Sequence, residues 1–194
     1  MLVKPKEPSY FEDLHLAKEL LANCPNQCLD SLAHEIDLKA FLAYCLQQQF
    51  EGLALGGSMG LYFQGIQFEP ARIAKMDIDL VCGYVENPEV LIEKINIFLD
   101  MLDYVMVSRS SGWDFVAFER SPLIGGPKIE IALGCVESEY RPIETFYKGR
   151  KLVLNHYKAI ATAKERYICT SVSVATIEKH KKDLDFINSL NLKQ

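Results

Sequence analysis

The apolar residues between positions 9 and 50 recur every three or four residues, which is the spacing of one face of an α-helix. The segment Cys24-Pro25-Asn26 interrupts this pattern, and Ser9 with Glu12 forms a capping-box sequence at its start. The apolar faces comprise Phe11, Leu14, Ala17, Leu20 and Leu21 before the break, and Leu32, Ile36, Phe41, Tyr44 and Cys45 after it. The pattern therefore predicts two helices in this part of the chain.

Short apolar runs with strand character alternate with helical patterns in the middle of the chain. The run Leu53-Ala54-Leu55 ends at Gly56-Gly57-Ser58. Asn87-Pro88 begins a helix, because asparagine caps helices and proline fits the first helical position. We predict strands at 53–55, 77–81, 104–107, 113–118 and 128–133, helices after 58 and after 87, and a loop at 65–73. From Leu152 onward the pattern is helical again, in two segments.

This order of elements predicts an α+β fold in three parts. N-terminal helices over residues 1–50 pack on a core with a small mixed β-sheet over residues 51–150, and a C-terminal helical segment spans residues 151–194. The 194 residues, of which 49% are hydrophobic, are enough to bury a core without a disulfide or a structural zinc ion.

The net charge of −5 argues against a protein that coats DNA or RNA, because binding phosphates over a broad surface requires a basic face. A local basic pocket for a nucleotide or a small RNA is compatible with this charge. The sequence contains no apolar run of signal-peptide or membrane-span length, so we expect a cytoplasmic protein without membrane contact. The six cysteines are then expected as free thiols. The alternative, a zinc site at Cys24, Cys28 and His34, lacks a fourth ligand at the usual spacing.

Two aspartates, Asp77 and Asp79, stand two residues apart in an otherwise apolar strand. Side chains alternate across a strand, so both carboxylates are predicted to lie on one face. Glu130 repeats this pattern on another strand and is a candidate third acid. Like charges held together become favourable when a divalent cation lies between them, and carboxylate oxygens suit Mg²⁺ or Mn²⁺. The alternative is a solvated face of an edge strand.

The turn Gly56-Gly57-Ser58 precedes this acidic strand and also lies at a strand end. Two glycines let the backbone approach a phosphate closely, the amides at the start of the next helix attract anions, and Ser58 adds a hydroxyl donor. Taken alone, the turn has an ordinary structural explanation as a tight connection. Together with the paired aspartates it predicts a site for phosphate and metal.

These motifs, in this order, resemble those of DNA polymerase β-like nucleotidyltransferases, and within them the AbiEii/AbiGii toxin-type branch. The resemblance covers roughly residues 52–190 and comprises Gly56-Gly57-Ser58, the basic loop residues Arg72 and Lys75, Asp77-Ile78-Asp79-Leu80, Lys158 in a later helix, and Lys182-Asp183-Leu184-Asp185. Three features depart from the pattern. Many relatives have aspartate where Glu130 stands, the loop before Asp77 is longer than usual, and Lys75 replaces a small hydroxyl residue.

The resemblance implies a catalytic set and a substrate-binding set. In the catalytic set, three acids would bind Mg²⁺ (or Mn²⁺) and a lysine would neutralise phosphate charge in the transition state: Asp77, Asp79, Glu130 and Lys158. The substrate-binding set comprises Gly56, Gly57, Ser58, Arg72, Lys75 and Asp183. In the family pattern Asp183 would lie near the nucleotide or orient the lysine.

The implied activity is transfer of a nucleoside monophosphate from a nucleoside triphosphate to an acceptor hydroxyl on RNA, protein or a small molecule. The toxin-type resemblance implies a tRNA or protein acceptor and an antitoxin partner. Lys179-His180-Lys181-Lys182 is either a basic stripe that contacts RNA or a solvated helix face. The alternative function is a catalytically decayed module that binds a nucleotide or acts as a scaffold.

Overall fold

The computed structural model describes residues 7–22, 32–134 and 139–191, with side chains from residue 12 to residue 189 within these ranges. The predicted thiols Cys24, Cys28 and Cys135, and with them the zinc alternative, lie outside the described residues. Cys45, Cys82 and Cys169 are free thiols, as predicted.

Helices flank a single sheet in the described part of the chain. The helices are α1 (Glu7–Ala22), α2 (Leu32–Gln49), α3 (Gly57–Phe63), α4 (Pro70–Ala74), α5 (Pro88–Asp100), α6 (Tyr157–Thr170) and α7 (Val174–Asn191). The strands are β1 (Ala54–Leu55), β2 (Ile78–Cys82), β3 (Tyr104–Arg109), β4 (Phe115–Arg120), β5 (Ile129–Leu133), β6 (Ile143–Tyr147) and β7 (Arg150–Leu154).

The strands are arranged in the order β3-β4-β5-β2-β1-β7-β6. Strand β2 is parallel to β5, and β1 is parallel to β7, whereas the other neighbouring strands are antiparallel. This arrangement confirms the predicted mixed sheet between N-terminal and C-terminal helices.

The two faces of the sheet have different environments. Helix α2 packs on β2 and β7, and α5 packs on β3, so these helices cover one face. The residues of β2 and β5 that enter this core are Ile78, Leu80, Cys82, Ile129, Ile131 and Leu133. Asp79 and Glu130 alternate with them and therefore point to the opposite face. On the described residues, no helix has both the length and the apolar character needed to cross a bilayer.

Helices α6 and α7 pack against each other, and α6 contacts α3. A small second cluster of buried apolar residues joins these elements and consists of Leu61, Ile66, Ile160 and Ile187. The C-terminal helices are thereby fixed beside the Gly-Gly-Ser turn that begins α3.

The structure differs from the sequence-based prediction in three places. Residues 70–74 form helix α4 rather than part of a loop, and Pro70 occupies its first turn. Residues 152–154 end strand β7 rather than begin a helix, and the C-terminal helices start at Tyr157. The hairpin of β6 and β7 was not predicted, although Lys148 and Gly149 both have positive φ, as two-residue hairpin turns require. The other predicted elements are confirmed with shifted ends, and the three domain boundaries stay predictions.

Candidate active site

Parallel pairing of β2 with β5 brings the predicted acids together. Asp79 lies directly opposite Glu130 in the register of these two strands. Asp77 immediately precedes β2 and, two residues before Asp79, falls on the same side of the chain. Both aspartates are half-buried, as is Glu130. Three carboxylates from two neighbouring strands therefore share one face of the sheet.

Burial and neighbouring negative charges raise the pKa of both aspartates. Burial raises the pKa of Asp79 to about 7, and the negative charges of Glu130 and Asp77 add to this effect. Burial also raises the pKa of Asp77, with Glu130 as the second cause and Lys128 opposing it. The ammonium of Lys128 lies 2.8 Å from a carboxylate oxygen of Glu130, and this bond raises the pKa of the lysine. Lys128, together with Lys164 and Lys179, thus compensates only part of the charge of the three carboxylates.

The donor set suits a hard divalent cation, because all its atoms are carboxylate oxygens. Among the described residues, however, no group of three or more His, Cys, Asp or Glu side chains is arranged to hold a metal ion. Glu130 is bound to Lys128 instead. A three-carboxylate site therefore requires Glu130 to exchange its lysine partner for the metal, whereas Asp77 and Asp79 need no such exchange.

The Gly-Gly-Ser turn lies directly against Asp79. The amide of Gly56 donates a hydrogen bond to the backbone oxygen of Asp79 at 2.7 Å. Gly57 has φ +54°, and a Cβ added there would lie 2.8 Å from the Cβ of Asp79 and would overlap its carboxylate. Only glycine fits this position, since a side chain would meet both a strained backbone and an occupied space. The turn and the acids therefore form one compact structure.

A second cluster of charges surrounds Ser58. An Nη2 donor of Arg72 reaches the Ser58 hydroxyl oxygen at 3.2 Å and also binds the carboxylate of Asp183. The ammonium of Lys164 donates to the other oxygen of Asp183 at 2.6 Å. Asp183 is fully buried and Lys164 nearly so. Two cations thus share one buried carboxylate next to the predicted phosphate-binding turn, which leaves a net positive charge there.

Helix α4, which carries Arg72, is held in place by a buried lysine of helix α2. The ammonium of Lys39, on α2, donates to the backbone oxygens of Ile73 and Ala74 at 3.0 and 2.9 Å. These oxygens are at the C-terminal end of α4, where a positive charge interacts favourably with the helix dipole. Lys39 therefore fixes the segment that presents Arg72 and leads into Asp77.

An open cavity of about 960 Å³ connects the two clusters. Seven of the ten predicted site residues line it: Gly57, Ser58, Arg72, Lys75, Asp77, Asp79 and Glu130. Asp183 lies behind this wall, where it binds two of the cations that face the cavity. Gly56 is not part of the lining, although its amide is bonded to Asp79. Lys158 is exposed at the start of α6 and is not part of the lining either.

Lys164, rather than Lys158, is the lysine of α6 that faces the cavity. Ile160, Lys164 and Tyr167 recur at helical spacing and all line the cavity, whereas Lys158 lies on another side of the helix. The sequence contained this signal, because Lys164 interrupts the apolar face of α6. Burial lowers the pKa of Lys164, while the charge and hydrogen bond of Asp183 oppose this effect.

Helix α7 contributes part of its basic stripe to the cavity wall. Lys179, His180 and Lys182 line the cavity, so part of the basic stripe faces the candidate site. The ring of His180 stacks on that of Tyr167, with centroids 5.4 Å apart and an interplanar angle of 22°. Burial lowers the pKa of His180, and the nearby cations Lys164 and Lys179 lower it further.

No protein-family model and no curated protein sequence matches the chain. Two solved structures are similar to it over most of its length. The crystal structure of an antigenic nucleotidyltransferase-like protein from Paracoccidioides brasiliensis has 18% sequence identity and a TM-score of 0.52, covering 83% of this chain and 77% of that one. The solution structure of the antibiotic-resistance factor ANT(2'')-Ia has 18% identity and a TM-score of 0.51, covering 82% of this chain and 83% of that one.

The chain has a nucleotidyltransferase-like fold. This confirms the fold class that the sequence predicted. The likeness at this identity concerns the fold, whereas the toxin-type branch rests on the sequence motifs alone.

We expect an Asp79→Asn variant to become more stable than the wild-type chain as the pH rises. The folded state holds a proton on Asp79 up to about pH 7, but the unfolded state releases it above a pKa of about 3.9, so stability is lost as the pH rises between these values. Each pKa unit between the folded and unfolded states corresponds to about 1.4 kcal/mol. The difference in unfolding free energy between the variant and the wild-type chain therefore grows to at most about 4 kcal/mol near pH 7 and is constant above it. Urea unfolding in EDTA across this pH range measures the difference.

The matched control is Asp100→Asn, an identical change at an exposed position on α5. Its stability relative to the wild-type chain is expected to show little dependence on pH over the same range. If both variants show the same pH profile, the raised pKa of Asp79 is not the cause.

Proposed function

We propose that this protein is a metal-dependent nucleotidyltransferase that moves a nucleoside monophosphate from a nucleoside triphosphate to an acceptor hydroxyl. The observation that supports this most is the cavity in which paired aspartates and a glycine-flanked serine lie beside a cluster with an excess of positive charge. Negative and positive groups are thus separated in one cavity. That separation suits a ligand which carries both a divalent cation and phosphates.

Each cluster has a role in this proposal. Ser58, Arg72 and Lys164 bind the triphosphate, with Lys75 at the cavity edge. A magnesium or manganese ion held by Asp77 and Asp79, and by Glu130 once it leaves Lys128, would stabilise the developing phosphate charge as a Lewis acid.

The transfer itself requires positioning and charge rather than covalent help from the protein. The acceptor oxygen bonds to the α-phosphorus while the bond between that phosphorus and the bridging oxygen of the β-phosphate breaks. Pyrophosphate leaves, and the proton of the hydroxyl passes to a carboxylate of the acidic cluster.

The second candidate function is a nucleotide-binding or scaffold module without catalysis. It is favoured by the contact of Glu130 with Lys128, which occupies the third acid of the proposed metal site. Such a module retains the phosphate contacts of Arg72 and Lys164 but has no working metal site.

The proposal also covers the acceptor of the nucleotide, a protein partner and the cellular location. The toxin-type resemblance favours a tRNA or protein acceptor and an antitoxin that binds the chain. The expected location is the cytoplasm, where nucleoside triphosphates and magnesium are present.

The test is a thermal-shift series with each nucleoside triphosphate in the presence and absence of magnesium, followed by label transfer from α-labelled nucleotide. Saturation at a hundred times Kd stabilises a protein by about 2.7 kcal/mol, which corresponds to a rise in Tm of roughly 5–10 °C for a chain of this size. We expect this rise with at least one nucleotide and magnesium together. Asp77→Asn is expected to reduce label transfer by about 100-fold or more.

Asp100→Asn serves as the control and is expected to retain transfer, because this exposed residue lies on α5 behind the sheet. Tight nucleotide binding without any transfer or pyrophosphate release supports the module. The absence of any nucleotide-dependent rise in Tm contradicts both the transferase and the nucleotide-binding module, and leaves only the scaffold.

A further inference from the structure

We propose that Lys179, on helix α7, offsets the charge of Asp77 and Asp79 in the free protein and contacts the phosphates of the nucleotide once these aspartates hold a divalent cation. This inference rests on the proposed function and adds to it one side chain that serves both the metal site and the nucleotide site. The same positive charge is then expected to have two opposite effects: it weakens metal binding to the free protein, and it favours transfer.

One face of helix α7 is turned towards the acids. Thr176 and Lys179 both line the cavity that contains Asp77 and Asp79. Asp183, one turn farther along the same face, is buried behind the cavity wall and is bonded to helix α6, so this part of α7 is held in place. The side chain of Lys179 is exposed. Its flexible four-carbon stem therefore carries an ammonium group from a fixed helix into the cavity.

The charge of Lys179 acts on both aspartates. Burial raises the pKa of Asp77 and of Asp79, and the charge of Lys179 opposes this effect at each of them. The other lysines that lower the pKa of one aspartate are bonded elsewhere: Lys128 to Glu130, Lys164 to Asp183 and Lys39 to backbone oxygens of α4. Lys179 forms no ion pair of its own within the described ranges, not even with the neighbouring Glu178. Its charge is therefore available to the aspartates.

A divalent cation held by Asp77 and Asp79 competes with this ammonium, because both are attracted by the same carboxylates and repel each other. Removing the charge of Lys179 is therefore expected to tighten metal binding. In an open cavity of high dielectric, such a repulsion changes an equilibrium constant roughly 3- to 10-fold. A lysine that only solvates the surface of α7 would have no such effect.

Lys179 also lies beside the second cluster of charges. Burial lowers the pKa of Lys164 and of His180, and the charge of Lys179 lowers both further. Its ammonium is thus close both to the aspartates and to the cations around Ser58. In the proposed function a triphosphate joins these two clusters, with the reacting α-phosphate nearest the acids. Negative charge develops on the oxygens of that phosphate during transfer, and an ammonium without another partner stabilises it.

The first measurement is manganese binding without nucleotide. Electron paramagnetic resonance of free Mn²⁺ gives the Kd at about pH 8, where Asp79, with its pKa of about 7, is ionised. We expect Lys179→Met to lower this Kd roughly 3- to 10-fold. Lys179→Arg keeps the charge and is expected to bind Mn²⁺ as the wild-type chain does. The matched control is Lys94→Met, the same change at an exposed position on α5, which is expected to leave the Kd unchanged.

The second measurement is label transfer from α-labelled nucleotide at saturating magnesium. Lys179→Met is expected to lower kcat roughly 10- to 100-fold, because a positive charge beside the transition state is lost. Lys179→Arg is expected to restore part of this loss, and Lys94→Met is expected to cause none. Tighter metal binding together with slower transfer distinguishes a direct role from damage to the fold, which would impair both. In a chain that binds the nucleotide but transfers nothing, Lys179→Met is expected instead to raise the Kd of the magnesium nucleotide roughly 3- to 10-fold.

The outcomes separate this inference from the proposed function. If the wild-type chain binds no divalent cation or no nucleotide, both are overturned. If it binds both ligands but Lys179→Met has the same Mn²⁺ affinity as Lys94→Met, or a lower one, the inference is wrong while the proposed function stands. The inference is equally wrong if Lys179→Met binds Mn²⁺ more tightly yet keeps the wild-type kcat, or keeps the wild-type Kd for the nucleotide where no transfer occurs, because Lys179 then does not contact the phosphates.

Discussion

Replacing Gly57 with alanine is expected to abolish nucleotide binding and to destabilise the protein. The new Cβ would overlap the carboxylate of Asp79, and the backbone at φ +54° is already unfavourable for an L-residue. The left-handed conformation costs roughly 1–2 kcal/mol and the forced contact roughly 1–3 kcal/mol more, so we expect a total loss of about 2–5 kcal/mol. Urea unfolding measures the stability, and thermal shift with a magnesium nucleotide measures the binding.

Gly149→Ala separates the two causes. Gly149 has φ +78°, but a Cβ there would have no neighbour within 4 Å. This variant is therefore expected to lose only the backbone part of the stability and to bind the nucleotide normally. If Gly57→Ala is no less stable than Gly149→Ala and binds the nucleotide as the wild-type chain does, the close packing of the turn on Asp79 is not required for the site.

The sequence predicted the acidic face because strand alternation is a local property. Once Asp77 and Asp79 were assigned to a strand, their common side followed from the geometry of the backbone, and the same held for Glu130. That Asp79 lies opposite Glu130 depends on the parallel pairing of β2 with β5, which are separated by a helix and two strands. Such a register is set by tertiary packing, so the strand pattern alone could make Glu130 a candidate third acid but could not place it opposite Asp79.

The resemblance selected Lys158 because the motif was matched by its order along the chain alone, whereas Lys164 is the lysine of α6 that lines the cavity. Lys158 and Lys164 are in the same helix, and both follow the acids in the chain. The helical period distinguishes them, since Lys164 shares a face with Ile160 and Tyr167 and Lys158 does not. The partner of Lys164 is Asp183 on the neighbouring helix, a contact between residues nineteen positions apart that local spacing does not reveal. The site therefore contains an ion cluster that the sequence indicated only in part.

Asp183→Asn is expected to destabilise the protein at least as much as any other single substitution in the cluster of Arg72, Lys164 and Asp183. Asp183 is fully buried and accepts hydrogen bonds from both Arg72 and Lys164. Removing one partner of a buried ion pair typically costs about 3–5 kcal/mol, because the remaining charge is left without compensation. Here two cations are affected by one substitution. Urea unfolding at neutral pH measures the loss, and the nucleotide-dependent rise in Tm shows whether the cations still bind phosphate.

A second substitution in the Asp183→Asn background tests whether the uncompensated charge is the cause. Adding Lys164→Met removes one of the two cations and is expected to restore part of the lost stability, even though it deletes a further polar contact. Adding Lys158→Met, the same change at an exposed position of the same helix, is expected to restore nothing. If Lys164→Met lowers the stability of the Asp183→Asn variant further, packing rather than charge dominates at this cluster. The excess positive charge that we assign to triphosphate binding would then lose its main support.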